Sequence, residues 1–184
     1  MRTAKMSVLL GLSALIVLIL GGVIFARDAA ARHVSATAGG APVTQRQSPC
    51  QSAMHRAFDF WVGEWVVYDP DGNVSGRNTV ELVLGGCALH ESWESAGGGD
   101  GHSYSFYDAA ADKWHQTWID INGGALYIDG VWNGEAMVLS DGINRVTWTQ
   151  IDNGGVRRLW ESTTAGGATW TTSFDGHYAR ARQE

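Results

Sequence analysis

The sequence predicts a closed, antiparallel up-and-down β-barrel of about ten strands with a short helix in front of it. Three observations carry this expectation. Turn signals rich in Gly, Asn and Asp recur through residues 69–167, with short runs of alternating character between them. No stretch after residue 62 has helical periodicity, which excludes βαβ folds and favours a meander. The segment Phe58-Asp59-Phe60-Trp61-Val62-Gly63-Glu64-Trp65 places four aromatic rings and a glycine between a helix-like stretch and the first strand, as expected where a helix covers one mouth of a barrel.

Along the chain, residues 1–26 come first as a targeting or anchoring element. Arg2 and Lys5 precede an uncharged apolar run from Met6 to Ala26. The part from Val8 to Phe25 is longer than an ordinary signal-peptide core and short for a span, so both a signal peptide and an uncleaved membrane anchor fit, with the anchor favoured. Either way the main domain is expected outside the cytoplasm, on the periplasmic or extracellular face, and membrane contact would run through residues 6–26 if they are retained. Residues 27–47 read as a flexible linker of Ala, Gly, Thr, Ser and Gln. The barrel domain is then 48–184. Ser48-Pro49 offers a cap and a first-turn proline for a helix running to about Ala57, whose sticky side is Met54, Ala57, Phe58 and Trp61.

The turns follow in order: Asp69-Pro70-Asp71-Gly72, Gly85-Gly86, Gly97 to Gly101, Asp108 to Asp112, Asn122-Gly123-Gly124, Asn133-Gly134, Asp141-Gly142, Asp152 to Gly155, and Ala165-Gly166-Gly167. Nearly all connections are tight, which favours a barrel over a sandwich, and closure removes exposed edges. The strands alternate unusually. Trp114, Gln116, Trp118 and Asp120 share one face, opposite His115, Thr117, Ile119 and Ile121; Val146 and Trp148 share theirs with Asn144 and Gln150; Arg158 and Trp160 alternate with Leu159 and Glu161. Large rings beside a few polar groups describe a ligand cavity; the alternative is that the same rings form a solid core or cover the outside.

Composition narrows the functional classes. Hydrophobic residues make up 45% and charged residues 17%, with 9 tryptophans, so the bulk of the chain must bury a core rather than stay disordered. The net charge of −6 and the lack of a basic cluster beyond Arg157-Arg158 exclude a nucleic-acid binder. The two cysteines, Cys50 and Cys87, are expected to pair in an exported domain, closing a loop of about 37 residues; two free buried thiols are the alternative.

Gly63-Glu64-Trp65 resembles the Gly-x-Trp opening of lipocalins and their calycin relatives. That resemblance implies an arginine from the last strand lying over the tryptophan, a role for Arg180 or Arg182 here. The stretch from Phe58 to Tyr178 also resembles an uncharacterised bacterial family of exported proteins. The shared features are Phe-Asp-Phe-Trp-x-Gly-x-Trp, Gly86-Cys87 before Glu91, Tyr107-Asp108 followed by Trp114 to Asp120, and Trp160-Glu161. It implies the fold and brings no activity. A barrel relative of the nitrobindin type holds haem through a histidine, but His102, His115 and His177 are scattered and nothing marks an axial ligand, so no cofactor is expected.

The densest titratable set is His90-Glu91-Ser92-Trp93-Glu94. On a strand, His90 and Glu94 share one face and Glu91 takes the other: either a polar strand facing solvent, or Glu91 inside the barrel, paired with Arg158. Metal-protease, phosphate-loop, nucleophile-elbow and Cys-x-x-Cys patterns are absent from the sequence. The leading expectation is a non-enzymatic module for a small apolar or aromatic molecule. Trp93, Trp114, Trp118 and Trp160 would stack on it, and Gln116, Asp120, Arg158, Glu161 and Glu91 would orient it. The competing classes are an enzyme using a buried carboxylate, Glu91 or Asp120, and a structural domain of the cell envelope.

Overall fold

The computed structural model describes residues 49–182. The apolar run, the linker and Ser48 lie outside them, and so do the expectations attached to them. Among the described residues no helix is long and apolar enough to cross a membrane.

The helix α1 (Ala53–Arg56) starts later than the Ser48-Pro49 signal predicts. Its cap is Ser52, in extended conformation, whose Oγ accepts from the His55 amide at 3.3 Å. Cys50 is joined to Cys87, so the chain first runs to the bridge and turns helical only at the next small polar residue. A single 3-10 turn, Asp59–Trp61, follows.

Ten antiparallel strands come next: β1 (Gly63–Tyr68), β2 (Val74–Val83), β3 (Ala88–Ser95), β4 (Gly101–Asp108) and β5 (Lys113–Asp120). The second half is β6 (Ala125–Trp132), β7 (Ala136–Ser140), β8 (Asn144–Ile151), β9 (Gly155–Ser162) and β10 (Thr171–Arg180). Each strand pairs with its chain neighbour, and β10 closes on β1 with Trp65 opposite Arg180 and Tyr68 opposite His177. Every predicted turn falls at a junction between consecutive strands. The result is a closed lipocalin-like barrel with no free edge.

The closure carries the contact implied by the Gly-x-Trp resemblance. The Arg180 guanidinium lies 3.9 Å from the centre of the Trp65 ring and donates to the Val62 carbonyl at 2.6 Å. Gly63, at φ +146°, sits directly under that guanidinium, in backbone space that a side chain would not share. The Trp65 indole donates to the Trp61 carbonyl at 3.0 Å, tying the first strand to the 3-10 turn beneath it.

The interior is layered. At the helix end Phe58 stacks on Trp61 (5.1 Å) and meets Trp114 and Trp148 edge-on at 5.5 and 5.1 Å. With Trp65 and Tyr178 these rings are all buried and form a solid plug. The expectation of a hollow barrel is therefore corrected for this half: ring after ring fills it, because α1 and the 3-10 turn push Phe58 and Trp61 up into the opening. The middle is polar, with Asn78, Glu91, Ser103, Ser105 and Gln116 buried on inward-facing positions. Open space lies at the far end.

Candidate functional site

The far mouth holds a cavity of about 220 Å³. Its walls are Trp93 on β3, Trp118 on β5, Trp160 on β9 and Phe174 on β10; Arg158 lies below them, and Gly99, Asp120 and Ser173 form the rim. These positions converge because the strand period is two: Trp93 follows Glu91, Trp118 follows Gln116 and Trp160 follows Arg158 on the same inward face. The turned-in face of β5 is the one carrying Trp114, Gln116 and Trp118.

Two glycines make room for the indoles. Gly76 opposes the edge of Trp93, and a Cβ there would fall 2.6 Å from the ring's Cη2. Gly101 does the same for Trp118, where a Cβ would meet Cη2 at 2.6 Å and the Ile119 carbonyl oxygen at 2.7 Å. The benzo edge of each ring thus occupies the space that a side chain at the glycine would take. Trp160 is held by its indole N–H, which donates to Asn144 Oδ1 at 3.0 Å, and Trp93 packs edge-on against Phe174 at 5.9 Å. The mouth is thus lined by half-buried rings fixed by packing and hydrogen bonding.

The polar layer below is a chain of side-chain hydrogen bonds. Asn78 Nδ2 donates to Glu91 Oε1 at 3.0 Å and Ser103 Oγ donates to Glu91 Oε2 at 2.7 Å. Gln116 Nε2 donates to Ser103 Oγ and Ser105 Oγ at 3.3 and 3.0 Å. Asn78 Oδ1, Gln116 Oε1, Arg158 Nε and Tyr178 Oη are buried with no hydrogen-bond partner. Burial pushes the Tyr178 phenol far above its usual range; the nearby Arg158 charge opposes this and Glu91 adds to it.

The sequence-predicted residues therefore separate into groups. Trp93, Trp118, Trp160 and Arg158 come together at the cavity. Trp114 is in the plug and Gln116 in the polar layer, so neither lines the mouth. Glu91 faces inward, against the reading of a solvent-facing strand, while His90 and Glu94 point out. It makes no ion pair with Arg158 among the described residues; Asn78 and Ser103 take its oxygens instead. Asp120 is at the rim rather than buried, and its Oδ1 accepts from the Asn122 and Gly124 amides at 2.8 and 2.9 Å, as a turn residue does. Glu161 lies on the outer wall, where Arg145 Nη2 donates to it at 2.9 Å, because it falls one residue after the inward Trp160. Sequence reasoning missed Phe174, which the register of β10 sets opposite Trp160 after an irregularity with no sequence signal, and the supporting Asn78, Ser103 and Tyr178.

Among the described residues no group of three or more His, Cys, Asp or Glu side chains could hold a metal ion. Comparison with protein-family models and with curated proteins finds no match for this chain.

Proposed function

We propose that this barrel is an exported or membrane-tethered binding module that takes a small apolar or aromatic molecule into its far mouth. The observation that carries the reading is the set of four rings, Trp93, Trp118, Trp160 and Phe174, standing around one cavity at the single end the plug leaves unfilled. Aromatic walls with few polar groups are what such ligands need. The Cys50–Cys87 bridge supports an oxidising compartment, in keeping with the apolar run at the N-terminus and with the resemblance to exported proteins. Binding is favoured over acid–base catalysis because the oxygens of Glu91 and Oδ1 of Asp120 already accept internal hydrogen bonds. No cofactor enters this reading.

The test is titration of the full chain with single-ring aromatics while tryptophan emission is followed, together with native mass spectrometry of protein from its own host. Quenching is expected, weakened about 2- to 10-fold by Trp118→Ala, since an aromatic pair contributes about 0.5–1.5 kcal/mol. Unchanged emission with every compound, alongside a clean ligand-free mass, would leave a structural barrel as the better account.

A further inference from the structure

Taking the far mouth as the binding site, on which the following rests, we infer that its guest is an organic acid: one aromatic ring, or an apolar group of that size, bearing a carboxylate that meets Arg158.

Arg158 is the anomaly in the charge layout. Its neighbour Arg157 points outward, is partly exposed, and holds Asp175 with two donors at 2.8 and 2.7 Å. Arg145 holds Glu161 and Arg56 holds Asp59 in the same way. Arg158 points inward, is only 7% exposed, and pairs with no carboxylate among the described residues. Its Nε is buried without a hydrogen-bond partner. A buried cation left in this state is costly unless something compensates it. The Trp148 and Phe174 rings, each 5.5 Å from the guanidinium carbon, compensate in part. They take none of its N–H donors, and the buried Tyr178 hydroxyl beside the guanidinium is a neutral group that brings no counter-charge.

The internal carboxylates do not supply the missing partner. Glu91 is occupied by Asn78 and Ser103, and Asp120 holds its own turn. What remains is a planar fork of donors under a cavity walled by indoles. That fork matches the two oxygens of a carboxylate in one plane. The cavity of about 220 Å³ equals the liquid volume of roughly seven waters at about 30 Å³ each, room for one ring and its head group. The net charge of −6 disfavours an anion at long range, but exposed charges are screened beyond about 8 Å at physiological salt, and the buried guanidinium is not.

The experiment is calorimetric titration of the full chain with phenylacetate and with phenylacetamide, which differ in the head group alone, at physiological salt. The acid is expected to bind at least about tenfold more tightly than the amide. Arg158→Met should bring that ratio close to one, the acid losing far more affinity than the amide, and Arg158→Lys should keep part of it. Equal binding of acid and amide by the unaltered protein, or a ratio that survives Arg158→Met, would overturn the head-group assignment and leave the mouth as a site for neutral molecules. Binding of neither compound, nor of toluene as a bare ring, would overturn the mouth reading and this inference with it. The comparison on the unaltered protein decides the question even if the Met variant fails to fold.

Discussion

Replacing Cys50 and Cys87 together by alanine should lower stability by about 4 kcal/mol. The bridge spans a sequence separation of 37 residues. The chain-entropy relation for a loop of that length gives about 13 cal/mol/K lost from the unfolded ensemble, or about 4 kcal/mol at 25 °C. For a domain of this size each kcal/mol moves Tm by roughly 4 °C, so the double variant should melt about 12–20 °C lower. The folded state should change little. Arg56 Nη1 still donates to the Gly86 carbonyl at 2.9 Å across the same junction, and Phe58 and Trp61 stay locked in the aromatic plug. Thermal and urea unfolding would measure the loss, and near-ultraviolet circular dichroism, dominated here by buried indoles, would report whether the plug survives. A fall in Tm under about 4 °C with an unchanged aromatic signal would refute the idea that the bridge acts by constraining the unfolded chain. A collapse of the aromatic signal at low temperature would show instead that it holds the plug in place.

Gly101→Val should displace the Trp118 indole, since a Cβ there meets both the ring and the Ile119 carbonyl; about 1–3 kcal/mol of destabilisation is expected, read from the urea midpoint, with ligand quenching weakened in parallel. Glu91→Leu removes the acceptor used by Asn78 and Ser103 and leaves their buried donors unmade, for about 1–3 kcal/mol by the same measurement; a neutral outcome would mean the polar layer contributes nothing to stability. The Arg157 hydrogen bond holds the Asp175 carboxyl below its usual pKa, burial opposing. A depressed carboxyl stabilises the fold above its unfolded value and loses that contribution as pH falls through its folded value, so stability should decline below about pH 4. Asp175→Asn should flatten that acid limb by under about 1 kcal/mol, because the pair is partly exposed; an unaltered limb would remove Asp175 from the account.

The parts of the fold written in local chemistry were readable in the sequence. Asn-Gly and Asp-Gly turns require backbone conformations that few residues accept, so each connection announces itself in two or three letters. The short helix was harder: the Ser48-Pro49 signal sets its start four residues early, and the chain turns helical only after Cys50, whose bridge to Cys87 is not written in the local sequence. The site was legible by halves. Alternation placed Trp114, Gln116 and Trp118 on one face, but a two-residue period does not say how far along the barrel each ring sits. Trp114 and Trp118 are one turn of the pleat apart from Gln116 on either side, yet one is in the plug and the other in the mouth. That difference comes from Phe58 and Trp61 filling one end, a tertiary event with no local signature.

The same filling fixes the depth of the site. Ten strands enclose a wide interior, and this chain closes most of it with rings from below and with a bonded polar layer across the middle. A guest cannot pass that layer without breaking the hydrogen bonds among Asn78, Glu91, Ser103 and Gln116, each of which would then lack a partner in a medium without water. A ligand of the proposed kind would therefore stop above Gln116 and Glu91, at the height of the mouth tryptophans. Arg158 is the charged residue that the interior presents to that cavity from below. On the proposed reading, affinity from the walls and selection by charge from the floor follow from one arrangement: rings seal the helix end, Asn78, Glu91, Ser103 and Gln116 bond across the centre, and Arg158 lies beneath the opening with no carboxylate partner among the described residues.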